Sequence, residues 1–249
     1  MRLPFDTDIG WGEGTTLGVI VLQADVTIEP ELRAYTAQDN VVLYHSRVPS
    51  APEVTPETLA RMETELPAAV RLLPDQLNFD VIGYGCTSGA IIIGADKFAQ
   101  TIKTVKPGVR VTDPITAVTA ALRALDVKRI GFVTPYIAEV SAAMRQNLET
   151  AGFEIAAFGS FEQIEEQVVA RIDSTSVRQA ILDVGTDSVC DAVFVSCTNL
   201  RTRHVIPETE IALGRPVISS NQALAWHMLR LAGIEDGPTG CGRLMRTPL

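Results

Sequence analysis

The sequence predicts an α/β protein of two pseudosymmetric domains, each a parallel sheet flanked by helices, with a site in the cleft between them. Three observations carry this expectation. Strand-like apolar runs alternate with helix-like segments along the 249 residues, the pattern of parallel sheets covered by helices. Two runs end alike: Asp80-Val81-Ile82-Gly83-Tyr84-Gly85-Cys86-Thr87 and Asp191-Ala192-Val193-Phe194-Val195-Ser196-Cys197-Thr198. Each places an Asp six residues before a Cys that Thr follows, and the cysteines are 111 residues apart. Fainter echoes extend the repeat. Leu17-Gly18-Val19-Ile20-Val21 matches Ile130-Gly131-Phe132-Val133, and Val111-Thr112-Asp113-Pro114 matches Val217-Ile218-Ser219-Ser220. Self-similarity at a fixed offset marks a duplicated unit. The expected domains are residues 15–112 with 218–249, and 113–217.

Taken in order, Leu17 to Gln23 is a continuous apolar run, as a strand buried on both faces requires. Asp25 follows it, either as a cap for a helix starting near Glu29 or as a site residue. Thr55-Pro56-Glu57 is a helix start, with Thr as N-cap, Pro in the first turn and an acid at the positive end of the dipole. Leu59, Met62, Leu66, Val70 and Leu73 form its apolar face, and Pro67 is expected to kink it. Ile130 to Thr134 is a second buried strand, and Ala138 to Ala151 a helix stopped by Gly152. Val217 and Ile218 end a short strand, and Asn221 to Ala232 is a helix stopped by Gly233. The Gly- and Pro-rich tail from Glu235 to Leu249 reads as a terminal strap or a partly disordered end.

Composition narrows the function. A hydrophobic content of 46% and a charged content of 20% describe an ordered globular protein. A net charge of −9 disfavours nucleic acid and anionic membranes as partners, while leaving room for a small anion at a local site. No apolar run approaches the roughly 18 residues of a membrane span, and Met1 to Asp8 has no signal-like core, so a cytoplasmic protein is expected. Four cysteines make no disulfide framework in a chain this long, and without a C-x-x-C pair no metal site is expected. A homodimer is the base-rate expectation.

In open parallel sheets, ligands bind beyond the carboxyl ends of strands. Cys86, Cys197, Asp25 and Tyr136 fall at or just past such ends. Cys86-Thr87-Ser88-Gly89 and Cys197-Thr198-Asn199 each lie between a strand and an expected helix, where backbone N–H groups can hold a carboxylate. The hydroxyls of Thr87, Ser88 and Thr198 add donors, and Gly89 permits close approach. At such a place the dipole is expected to lower a thiol pKa. Two facing thiols can take a proton from one side of a carbon and return it on the other, with no cofactor. Cys190, ahead of a core run, and Cys241, in the tail, read as structural or incidental. His204, His227, Arg201 and Arg203 read as surface or core residues.

The chain resembles the aspartate/glutamate racemase superfamily, and within it the maleate isomerase and arylmalonate decarboxylase branch. The resemblance covers residues 15–245 and rests on Gly85-Cys86-Thr87-Ser88-Gly89, Val133-Thr134-Pro135-Tyr136 and Ser196-Cys197-Thr198-Asn199-Leu200-Arg201-Thr202. It implies two pseudosymmetric domains, a catalytic site between them and no cofactor. Cys86 and Cys197 resemble the acid/base pair, while Thr87, Ser88, Tyr136 and the Thr198 backbone resemble donors to a substrate carboxylate. Arylmalonate decarboxylase-like enzymes have glycine at the place of Cys86, so a decarboxylase is disfavoured. Maleate isomerases have asparagine after the first strand; here the segment reads Gln23-Ala24-Asp25-Val26-Thr27. An Asp repels a diacid and attracts an ammonium. The chain is also similar to the ectoine-utilisation proteins of this branch, which implies amino acids derived from diaminobutyrate as substrates.

The expected function is therefore racemisation or isomerisation of a small carboxylate, an amino or N-acyl-amino acid, by thiolate/thiol proton transfer. The alternatives are a maleate-type cis-trans isomerase, an arylmalonate-decarboxylase-like enzyme, and a small-ligand binding protein without chemistry.

Overall fold

The structure is a computed structural model. It describes residues 1–8, 10–52, 55–186 and 189–249, with the side chains of 11, 12, 56, 59 and 60 not among those described. The expected core position Leu59 thus lies outside the described residues.

The first half runs β1 (Thr15–Leu22), α1 (Ile28–Tyr35), β2 (Val41–Val48), α2 (Pro56–Arg71), β3 (Val81–Gly85), α3 (Thr87–Ile93), α4 (Ala95–Val105), β4 (Arg110–Thr112) and α5 (Pro114–Ala124). The second runs β5 (Arg129–Tyr136), α6 (Ala138–Thr150), β6 (Glu154–Gln163), α7 (Glu166–Val169), α8 (Ser174–Gly185), β7 (Ala192–Val195), α9 (Val205–Leu213), β8 (Val217–Ser219) and α10 (Ser220–Leu231). Two four-stranded sheets result, ordered β2-β1-β3-β4 and β6-β5-β7-β8, with every pairing parallel. The orders are identical once four is subtracted from the second, so the fold is two pseudosymmetric α/β units. Their apolar faces join in one core that includes Leu17, Ile20 and Tyr84 of the first sheet and Ile130, Phe132 and Phe194 of the second.

The repeated Asp of the two Cys-Thr runs has one job in both halves. Asp80 Oδ2 accepts the N–H of Thr16 at 2.9 Å, and Asp191 Oδ2 accepts those of Arg129 at 2.8 Å and Lys128 at 3.2 Å. Each Asp therefore pins the start of the central strand, β1 or β5, beside the strand that ends in a cysteine. The Arg129 guanidinium and these N–H groups hold the Asp191 carboxyl down at about 2.

Thr55 caps α2 as expected: its hydroxyl accepts from Thr58 N–H while the Thr58 hydroxyl accepts from Thr55 N–H. The helix continues through Pro67 to Arg71. The expected domain limits fall at the end of β4 and inside β8; the chain leaves the second sheet after Ser219 and returns as α10, which packs on α5, α1 and β3. The tail is an ordered strap. Trp226 Nε1 and Arg230 Nε donate to the Thr247 carbonyl at 2.8 and 3.0 Å, and Leu244 and Met245 are buried beneath it. Among the described residues, no helix is long and apolar enough to cross a membrane.

Candidate active site

Cys86 and Cys197 leave equivalent strands, β3 and β7, but their surroundings differ. Cys86 is the N-cap of α3, and its Sγ accepts the Gly89 N–H at 3.2 Å, with Ser88 Oγ at 3.6 Å. Gly89 is required by space, since a Cβ there would lie 2.9 Å from Tyr84 Oη and 3.0 Å from Cys86 Sγ. Cys197 Sγ likewise accepts a backbone N–H, from Asn199 at 3.2 Å. No helix starts directly after it, however; α9 begins only at Val205. The expectation of a helix N-terminus behind both thiols is thus corrected for Cys197. Its backbone instead sits at φ +118°, a region costly for a residue with a Cβ.

The expected lowering of the thiol pKa values is overturned. Cys86 and Cys197 are 3% and 1% exposed. Burial pushes Cys86 up to about 12, against the weaker opposing pull of Ser88 and the Gly89 N–H. Burial, followed by the charge of Glu166, pushes Cys197 well above its usual range, against hydrogen bonds from Tyr136 and Asn199. Removing two thiols from water outweighs one short-range dipole.

The site gathers from both halves. Tyr136, at the end of β5, is buried and hydrogen-bonds Cys197, and both thiols act on its hydroxyl. Asp25 follows β1. Its Oδ1 accepts the N–H groups of Thr27 and Ile28, both at 2.8 Å, so it does cap the start of α1. Burial raises its carboxyl, against the Ile28 N–H and the Thr198 hydroxyl that hydrogen-bond it. Thr87 donates its hydroxyl proton to Ser220 Oγ at 2.9 Å, and the same oxygen accepts the Cys197 N–H at 3.1 Å. Ser220 thereby ties one cysteine loop to the other. With that proton committed, Thr87 and Ser88 offer a ligand the first N–H groups of α3.

Asn199 bridges the halves: its Oδ1 accepts the Val26 N–H at 3.1 Å, and its Nδ2 donates to Glu166 Oε2 at 2.8 Å. Asn221 Nδ2 donates to the Thr198 carbonyl at 2.8 Å, and also to Glu31 at 2.9 Å. Glu31, on α1, further takes the N–H of Thr202 at 2.6 Å and of Arg203 at 2.8 Å. A carboxylate of the first half thus anchors the loop that carries the second thiol.

Sequence reasoning missed four residues here: Glu166, Glu31, Ser220 and Asn221. Glu166 stands in the acidic run Glu162-Gln163-Ile164-Glu165-Glu166, where nothing in the residue types marks one acid as buried. In the structure it is buried, and its carboxyl is pushed up to about 7 by burial, with Asp25 adding to the rise against the Asn199 hydrogen bond. Arg201 and Arg203 lie outside the cluster; Arg201 donates to the Ile172 carbonyl, and the Arg203 side chain lies against Cys241. His227 pairs with Thr112 at 2.7 Å, and His204 stands at the N-cap position of α9 without a side-chain cap hydrogen bond. The charges that act on both thiols are those of Glu166 and Asp25.

Comparison with known proteins places this arrangement. A maleate isomerase of Nocardia farcinica is 26% identical over 92% of this chain and 95% of its own length. An arylmalonate decarboxylase of Bordetella bronchiseptica is 33% identical over 51% of this chain and 53% of its own length. A crystal structure of Nocardia farcinica maleate cis-trans isomerase, a cysteine-to-serine mutant with a covalently bound succinylcysteine intermediate, superposes with a TM-score of 0.85. That superposition has 26% identity and covers 93% of this chain and 98% of the other. The sequence model of the arylmalonate decarboxylase family matches residues 65–245. That match spans most of the chain and holds both thiols, Tyr136 and Glu166; the chain belongs to the arylmalonate decarboxylase family, on an Asp/Glu racemase-like fold, and is an enzyme of that superfamily.

Proposed function

We propose that this chain is a cofactor-independent isomerase of a small carboxylic acid, with Cys86 and Cys197 as its reacting groups. The observation that supports it most is that the two strand-end cysteine loops are tied together through Ser220, with a backbone N–H on each sulfur. The first N–H groups of α3 and the Thr198 loop supply neutral donors for the substrate carboxylate; the Tyr136 hydroxyl, expected as a further donor, is given to Cys197. Such donors also stabilise charge that builds on the carboxylate when the neighbouring carbon becomes carbanion-like.

Two reactions use this pair. The full-length relatives support cis-trans isomerisation of a maleate-like diacid. One cysteine, as thiolate, adds to the double bond while the other thiol protonates the neighbouring carbon; the bond left single rotates, the second sulfur takes that proton back, and the first thiolate leaves again. An acid at Asp25 in place of a neutral amide favours the second reaction, α-proton transfer on an amino or N-acyl-amino acid, since a carboxylate repels a diacid and attracts an ammonium. There one thiolate takes the α-proton and the opposite thiol delivers its own to the other face, so the two sulfurs exchange protonation states in each turnover.

Proton NMR of the enzyme in deuterated water tests both. Maleate converted to fumarate supports the first reaction, and exchange of an α-hydrogen in amino or N-acyl-amino acids supports the second. An enzyme that does neither across such a set is not the isomerase proposed here.

A further inference from the structure

The two thiols are held by different means. Cys86 is held locally: its carbonyl accepts the Ala90 N–H at 3.0 Å as α3 begins, and its sulfur accepts the Gly89 N–H of the same turn at 3.2 Å. Cys197 has no such turn behind it. The Ser196 N–H still bonds to β5, at the Val133 carbonyl 2.8 Å away, and the chain then bends through Cys197 at φ +118°. A residue with a Cβ keeps that conformation only where its surroundings enforce it.

The enforcing groups are neighbours in the first turn of α10, Ser220 and Asn221, both buried. Strands β7 and β8 are in register at Val195 and Ser219, which sets that turn beside the Cys197 loop. The rest of α10 packs on α1, α5 and β3, so the second thiol is held by an element anchored in the first half. Ser220 Oγ accepts the Cys197 N–H at 3.1 Å and fixes the peptide unit ahead of the thiol. Asn221 Nδ2 donates to the Thr198 carbonyl at 2.8 Å. That carbonyl shares one peptide unit with the Asn199 N–H, which donates to the Cys197 sulfur at 3.2 Å. The unit is planar, so gripping its carbonyl aims its N–H. The Asn221 amide has one orientation open to it, because its other neighbour, Glu31 at 2.9 Å, is also an acceptor. Ser220 Oγ takes the Thr87 hydroxyl proton as well, at 2.9 Å, so Cys197 is set against the same atom as the Cys86 loop.

We propose that Ser220 and Asn221 are positioning residues for the second thiol: Ser220 locks the Cys197 backbone, and Asn221 aims the Asn199 N–H at the Cys197 sulfur. The assignment rests on the reading of Cys86 and Cys197 as the reacting pair of an isomerase, and it supplies what holds the second of them in place. A hydrogen bond to sulfur favours the thiolate. At Cys197 the Asn199 N–H is one of two such bonds that oppose burial, the other coming from Tyr136. Both positioning residues act through the backbone, and the thiols remain the reacting groups.

Ser220→Ala, Asn221→Ala and the rescue variant Ser220→Thr test it, with melting curves to verify folding. Asn221→Asp, of the same size but without the donor, replaces Asn221→Ala if that variant does not fold. NMR of protein isotope-labelled at asparagine and cysteine reads the backbone, and turnover is followed in deuterated water with maleate, aspartate and alanine as probes. In Asn221→Ala the Asn199 amide proton should move upfield and exchange with solvent about tenfold faster or more, the worth of one hydrogen bond, although its own partner, the Cys197 sulfur, is untouched. In Ser220→Ala the Cα shift of Cys197 should leave its wild-type value while that of Cys86 stays. Ser220→Thr, which keeps the oxygen, should restore it. Both alanine variants should lower kcat about tenfold to a hundredfold with KM held, as a misplaced reacting group does. Unchanged Asn199 and Cys197 signals in the folded variants overturn the proposal, since a structural role alone lowers only the Tm. The two claims fail separately. A wild type that converts none of the probes counts against the isomerase reading, and the NMR signals still decide the positioning claim. Thiol-dependent turnover that persists at the wild-type rate in both folded variants removes the positioning claim alone.

Discussion

At the residue scale, the decisive quantity is the cost of ionising a buried thiol. The two cysteines were legible in the sequence because their contexts repeat, Asp six residues ahead and Thr behind. The direction of their pKa shift was not legible, because a strand end does not reveal what covers it. Tyr136 opposes that cost at Cys197 by a hydrogen bond. Tyr136→Phe should push the Cys197 thiol higher still and lower kcat about tenfold or more, the worth of one hydrogen bond to a charged acceptor. The pH-rate profile and a thiol-reactivity titration read both effects. Glu166 yields a stability prediction. Its carboxyl rises from an ordinary 4.5 to about 7 in the folded protein, so between these values the folded chain holds a proton that the unfolded chain has released. Its contribution is full below the lower value and is lost as pH rises through the upper one. The Tm should therefore fall between about pH 5 and pH 7.5, and less steeply in Glu166→Gln.

At the element scale, the repeat dictates the sheets and the loops break it. Strands β1, β3, β5 and β7 were readable as apolar runs, since burial on both faces leaves no polar alternation. The caps at Thr55, Gly152 and Gly233 were readable from side-chain chemistry, and Gly152 and Gly233 take φ values of +97° and +85°. The asymmetry after the thiols was not readable, because Cys86-Thr87-Ser88 and Cys197-Thr198-Asn199 present the same residue types. The first continues into α3; the second turns through Cys197 at φ +118° and is held by contacts made from afar. α3 allows a local test. Gly89→Ala would place a methyl 3.0 Å from the Cys86 sulfur and 3.1 Å from Met62 Cε. Urea denaturation should show a loss of about 1–3 kcal/mol for this overpacking, with turnover reduced in the fraction that remains folded.

At the scale of the molecule, the two halves are joined by polar groups as well as by the core. Glu31 on α1 holds Thr202, Arg203 and Asn221; Asn199 holds Val26; and the Glu166 N–H donates to the Pro52 carbonyl at 3.1 Å. None of these pairings could be read from sequence, since their partners lie as far apart as residues 31 and 221. Glu31→Ala should cost about 1–3 kcal/mol for each buried donor it strands and should lower kcat by releasing the Cys197 loop. Glu31→Gln should recover most of the stability.

The central claim is that both thiols are needed, each for its own half of the reaction. Proton NMR of turnover in deuterated water by the wild type, Cys86→Ser and Cys197→Ser tests it most directly. The account predicts that each serine variant loses isomerisation by about a hundredfold to ten-thousandfold, the usual worth of a positioned acid or base. In the α-proton reaction, one variant can still exchange deuterium into a single enantiomer. Isomerisation at wild-type rate by either variant would contradict the claim.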